Sequence, residues 1–136
     1  MESWKIYLVP LGRLLLSSLF IWAGYTKLFV FTPAGTAKFF ADNGVPVPEL
    51  SAWLAIVVEL GGGILILVGL ATRWVALILA LWCVVTALGY HLPPGSKMHD
   101  MIHFYKNLVM AGGFLYVAAL GAGALSIDRA TGMDKA

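Results

Sequence analysis

The chain has little of what a water-soluble protein needs. Only 12% of its 136 residues are charged, nine of them Lys or Arg and seven Asp or Glu, against roughly a quarter in an average soluble domain. That is too few to coat a compact soluble fold. With 60% of positions apolar and a mean hydropathy of +0.87, the surrounding solvent is lipid. Cysteine is nearly absent: Cys83 stands alone, so the chain makes no internal disulfide and carries no C-x-x-C redox pair. The nine basic residues are scattered singly and the net charge is +2, which excludes a nucleic-acid footprint. No glycine-rich nucleotide fingerprint and no G-x-x-x-x-G-K-[ST] run occurs, and no loop is long enough to fold as a catalytic domain. Any chemistry takes place in a bilayer or at its edge.

What is present is long apolar runs. They predict an all-α fold, an integral membrane four-helix bundle forming one domain over 1–136, with spans near 11–31, 50–71, 73–91 and 103–125. Each is about the length a helix needs to cross a ~30 Å hydrocarbon core at 1.5 Å per residue. Glu2 near the start and Lys27 within the first run argue against a cleaved signal peptide. Thr32 and Pro33 predict the cap and first residue of a short helix over 33–42 lying on the membrane surface. Val45-Pro46-Val47-Pro48 predicts extended backbone leading to the second span, and Thr72-Arg73 the short link to the third. Four spans put both termini on one side. Lys5, Arg13, Arg73, Arg129 and Lys135 fall there, against Lys27, Lys38, Lys97 and Lys106 opposite, which orients the termini to the cytoplasm. Arg13 reads as a rim anchor, and Gly112-Gly113 and Gly121 with Gly123 as helix-packing positions.

A few polar residues sit where the membrane makes them costly. Glu59 lies roughly ten residues into its helix, near the midplane. A carboxylate there must face the bundle, be protonated or pair with a cation. Lys27, Lys106 and Asn107 occupy the outer half at comparable depth, and either lysine reaches inward to Glu59 or snorkels outward. Gly61-Gly62-Gly63 leaves room beside the acid for a close helix or a cavity. His99 and His103 stand one helical turn apart, a spacing that suits a metal, but a third ligand would have to come from His91. We read them as polar residues at an interface, with no metal site; a haem held by His91 and His103 is the remaining metal alternative.

Arg13, then Phe20-Ile21-Trp22-Ala23-Gly24-Tyr25-Thr26-Lys27, Gly44-Val45-Pro46, Glu59-Leu60-Gly61-Gly62, Gly69-Leu70-Ala71-Thr72-Arg73 and His103-Phe104-Tyr105-Lys106-Asn107-Leu108 follow one another in an order and spacing that resembles the DoxX family of small bacterial membrane proteins, from about Leu11 to Asp128. The family takes its name from a subunit of a thiosulfate:quinone oxidoreductase, and other members are associated with membrane redox or oxidative-stress complexes. The resemblance implies a four-helix bundle in the bacterial cytoplasmic (inner) membrane, with recurrent polar positions at Arg13, Lys27, Glu59, Arg73, His103, Lys106 and Asn107. In that light the outer half of the bundle reads as a pocket for a quinone-like head group. Lys27, Tyr90, His91 and Asn107 would bind it, and Glu59, His103 and Lys106 would supply and take protons. The reading requires a partner, a second subunit that brings electrons or further copies of the chain. Its competitor is a non-enzymatic membrane scaffold in which the same cluster orients helices. A small-solute carrier would be expected to have an inverted repeat or broken helices, and neither is apparent.

Overall fold

The computed structural model describes residues 3–134, so Glu2 and Lys135, which enter the sequence reading, lie outside the described residues. The described chain is helical. Helix α1 runs Lys5–Tyr25 and continues through a π turn, Thr26–Val30; α2 is Thr32–Asp42. Helices α3, Pro48–Ile56, and α4, Gly62–Val68, are joined without a break by a second π turn, Val57–Gly61. Helix α5, Thr72–Thr86, ends in a third, Ala87–His91; α6 is Met101–Leu120 and α7 the single turn Ile127–Ala130. Three stretches, Ile6–Val30, Pro48–Val68 and Thr72–His91, are long and apolar enough to cross a membrane. Helix α6 is of similar length, but His103, Lys106 and Asn107 make one end polar.

Several boundaries differ from expectation for local reasons. The helix expected to reach residue 125 stops at Leu120, because Gly121 turns at φ +83°. Gly121 and Gly123, both at positive φ, therefore serve a loop and not helix packing. Of the pair before them, Gly113 lies against Leu16 and Gly112 faces open space. The link after α4 is 69–71, not Thr72-Arg73: Gly69 closes the helix at φ +71° and Ala71 is also left-handed. Thr32 does cap α2, its hydroxyl accepting from the Gly35 amide at 3.2 Å, with its own φ at +63°. Val47, expected to be extended before Pro48, is instead left-handed at φ +45°, a conformation disfavoured for a β-branched residue.

Packing follows residue size. Small side chains (Ala52, Ala55, Ala76, Ala80, Ala111) line the inside, with Phe20, Ile66, Leu79 and Phe114 filling the space between helices. Phe20 meets Phe114 edge to face at 5.2 Å. Helix α1 lies along α4, and α5 along α6. Large apolar residues such as Trp22, Leu81 and Val109 point outward instead, the reverse of a soluble bundle and suited to lipid.

The end of the bundle where 69–71 turns is held by groups far apart in sequence. Asp128 accepts from the amides of Ala71 and Thr72 at 2.7 and 2.8 Å, capping the start of α5 from 56 residues away. Arg13 is no rim anchor: it is 2% exposed and donates to the Leu125 carbonyl. Its guanidinium occupies the space over Gly69 that a side chain would fill. Arg73 donates to the carbonyls of Ala118 and Ala119 at the end of α6 and pairs with Asp134 at 3.2 Å.

Candidate functional site

At the opposite end, a close contact between helices sets up the site. Gly24 on α1 has the Leu60 backbone against it, so near that a Cβ would lie 2.5 Å from the Leu60 nitrogen. Gly63 packs in the same way against Ile21 and Phe20. Missing side chains on both helices thus bring the backbones together, and the polar residues flanking the contact meet. Lys27 Nζ donates to Glu59 Oε2 at 2.6 Å, with the two side chains 22% and 13% exposed. The other oxygen, Oε1, accepts from the indole N–H of Trp82 at 3.3 Å. The costly carboxylate is therefore neither bare nor turned to lipid.

A cavity of about 420 Å³ opens beside this pair. Of the residues singled out from the sequence, Lys27, Glu59, Tyr90, His91, Lys106 and Asn107 line it, and His103 does not. His103 stands just outside, its Nδ1 3.0 Å from Lys106 Nζ and its ring 5.4 Å from that of His91. Asn107 is buried and donates to the Thr86 hydroxyl at 3.2 Å. Gly62 contacts Leu79, while Gly61 has open space where a side chain would be. The wall also includes Trp22, Leu54 and Val85, which face outward from the bundle.

Each π turn carries wall residues of this cavity: Lys27 in the first, Glu59 in the second, Tyr90 and His91 in the third. A π turn inserts a residue into an α-helix and re-aims the side chains that follow, and such turns are frequent at functional sites. Their widened backbone is satisfied locally. The amides of Phe31 and Leu92 reach back to the carbonyls of Thr26 and Ala87, and the buried Thr36 hydroxyl donates to the Lys27 carbonyl at 3.1 Å, fastening α2 to the site.

The loop 92–100 folds over the cavity and contributes Met98 to its wall. His91 donates from Nδ1 to the Met98 carbonyl at 3.0 Å, and His99 from Nδ1 to the Leu92 carbonyl at 3.1 Å. Lys97 reaches across to the Asp42 carbonyl at the end of α2. Asp100 caps α6 through the amides of Ile102 and His103. The His103 amide bond is the main reason its carboxyl is held below the ordinary range. Among the described residues, no set of three His, Cys, Asp or Glu is gathered as metal ligands.

Sequence reasoning missed Trp82, Cys83, Thr86 and Met98 on this wall. A signal existed for some of them: Trp82, Thr86 and Tyr90 recur every four residues along one face of an otherwise apolar helix.

The sequence model of the DoxX family matches residues 8–92. The chain is 36% identical over 126 residues to the inner membrane protein YphA of Escherichia coli, covering 90% of this chain and 89% of that protein. It is 40% identical over 121 residues to the inner membrane protein YqjF of the same organism, covering 89% of each. No solved structure matches.

Proposed function

The chain belongs to the DoxX family, and from that premise we propose that it is a small subunit of a quinone-linked redox complex in the bacterial inner membrane, with the cavity beside Lys27 and Glu59 taking a quinone-like head group. The observation that carries the reading is the wall itself. Lys106, Tyr90 and Asn107 bring hydrogen-bond donors to one space of about 420 Å³, within the ~300–1,000 Å³ of small-molecule sites. Quinone carbonyls are acceptors and need such donors. Trp22, Leu54 and Val85 carry the wall to the outer face of the bundle, giving an apolar tail a way out to lipid.

A bound quinone supplies the two-electron, two-proton couple. The chain's own part is to hold and protonate it. Lys106 and Asn107 position a carbonyl from α6, Tyr90 does so from the end of α5, and His91, its Nδ1 proton given to the Met98 carbonyl, offers Nε2 as an acceptor to a ligand hydroxyl. Lys27 keeps Glu59 oriented, and Glu59 exchanges a proton when that pair opens. Electrons come from a partner subunit, since one cysteine and no flavin or nucleotide fingerprint leave this chain without a carrier of its own.

The membrane arrangement belongs to the same proposal. Helix α6, at 20 residues and 1.5 Å per residue, has the ~30 Å needed to be the fourth span; α2 lies at the interface, and both termini are cytoplasmic. Reporter fusions after residue 134 and at Pro94 are expected on opposite sides, and finding both on one side removes the fourth span.

One observation favours the scaffold reading: the Lys27–Glu59 pair ties α1 to the α3–α4 helix. Glu59→Gln separates the two. Binding of a short-tail quinone analogue to the purified full chain, followed by tryptophan quenching, is expected to weaken at least tenfold while the protein still folds. Unchanged binding with a lowered melting temperature would assign the pair to the scaffold.

A further inference from the structure

The polar groups at the rim of the cavity form a connected chain that binding a head group does not by itself require. Lys106, on the cavity wall, places Nζ 3.0 Å from Nδ1 of His103. An ammonium only donates, so Nδ1 accepts and neutral His103 carries its proton on Nε2. That nitrogen faces Asp100 Oδ2 at 4.0 Å, on a side chain 50% exposed. Asp100 Oδ1 is committed to the amides of Ile102 and His103 at 2.8 and 3.0 Å. Held ionised by those bonds, Asp100 steadies positive charge on the ring and leaves the proton to water. The neighbouring groups are otherwise engaged. His91 spends its Nδ1 proton on the Met98 carbonyl, and Lys27 and Glu59 close on each other. Tyr90 and Cys83 are the remaining titratable groups on the wall.

Resting on the quinone reading, we infer that Lys106 and His103 form the proton port of the cavity, exchanging protons between a bound ligand's hydroxyl and the water on the side of loop 92–100. In the outward direction the Lys106 ammonium passes a proton to His103 Nδ1, and Nε2 gives its own to water. The neutral amine then takes the proton of the ligand O–H. The ligand is left as an anion beside a restored ammonium, one proton has reached water, and the exposed ring regains its first tautomer by exchange with solvent. No electron moves. His103 touches no ligand and acts through Lys106.

The test uses the purified full chain in weakly buffered detergent with a pH-indicator dye. The probe is a 2-alkyl-3-hydroxy-1,4-naphthoquinone, studied near the pH at which its hydroxyl titrates. Stopped-flow mixing is expected to show tryptophan quenching and release of protons to the medium. In His103→Gln, with helicity checked by circular dichroism, the ligand still binds but proton release slows by about 100-fold, the scale of one general acid-base group. Free imidazole restores it. Release from His103→Gln as fast as from the wild type overturns the port while leaving the quinone reading standing. Slowed release that imidazole fails to restore makes the role of His103 structural and also overturns it. A wild type that binds no probe removes the quinone reading and the port together.

Discussion

The Lys27–Glu59 pair allows a quantitative test of how the bundle tolerates charge. The contact is 2.6 Å long, and the side chains retain 22% and 13% exposure. Removing one member of a fully buried pair costs about 3–5 kcal/mol, mostly through the charge left behind. Residual exposure lowers this, so Lys27→Met and Glu59→Gln are each expected to cost about 2–3 kcal/mol, roughly 30- to 150-fold in the unfolding equilibrium. Glu59→Gln retains an oxygen for the Trp82 indole, so its loss reports chiefly the ion pair. The double variant strands no charge and is expected to be more stable than the sum of the singles implies, by about 1.5–2 kcal/mol. The assay is equilibrium unfolding of the full chain in mixed micelles, followed by circular dichroism, for all four proteins. Single variants within about 0.5 kcal/mol of wild type with no coupling are the behaviour of an exposed pair, and would refute both the contact and the burial on which the site is built.

Three further outcomes follow from other parts of the fold. Gly24→Ala places a methyl 2.6 Å from the Leu60 Cβ and closer still to its backbone, so the helices must separate, at a cost of about 1–3 kcal/mol and with weakened quinone-analogue binding. Normal stability and binding would contradict the close approach. Phe114→Ala removes a fully buried ring packed on Phe20 and is expected to cost about 3–5 kcal/mol in the same unfolding assay. For Asp128, burial alone raises the pKa, but hydrogen bonds from Thr72 and from the Ala71 amide, with the charge of Arg13, outweigh it and hold the carboxyl below its ordinary value. Its contribution is therefore fully present above the unfolded carboxyl pKa of about 3.9 and is lost as pH falls through the lower folded value. Melting temperature measured from pH 6 down to pH 3 should fall less steeply for Asp128→Asn than for wild type, and parallel curves would remove the cap from the account.

Much of this protein was legible without coordinates because a bilayer imposes simple demands. Helices must satisfy their own backbone, so the long apolar runs of a chain with 12% charged residues declared the helices. Polar groups at depth must find partners, so Lys27, Glu59, Lys106 and Asn107 stood out before any contact was known. What remained hidden depends on geometry that no linear pattern carries. Only packing decides that Lys27 answers Glu59, because the near-contact of Gly24 with Leu60 sets the helix register. The π turns that bring Lys27, Glu59, Tyr90 and His91 to one cavity leave no compositional trace, since they arise from a shift in hydrogen-bonding partners. In sequence, an arginine near a span end looks like any headgroup anchor, so the burial of Arg13 shows only in three dimensions, as does the Asp128 cap, which joins residues 56 positions apart. Residue type and order thus determined which segments are long and apolar enough to enter a membrane and which side chains would be costly there. The tertiary structure decided which of those side chains meet, since contact across helices is set by the depth and rotation of each helix against its neighbours.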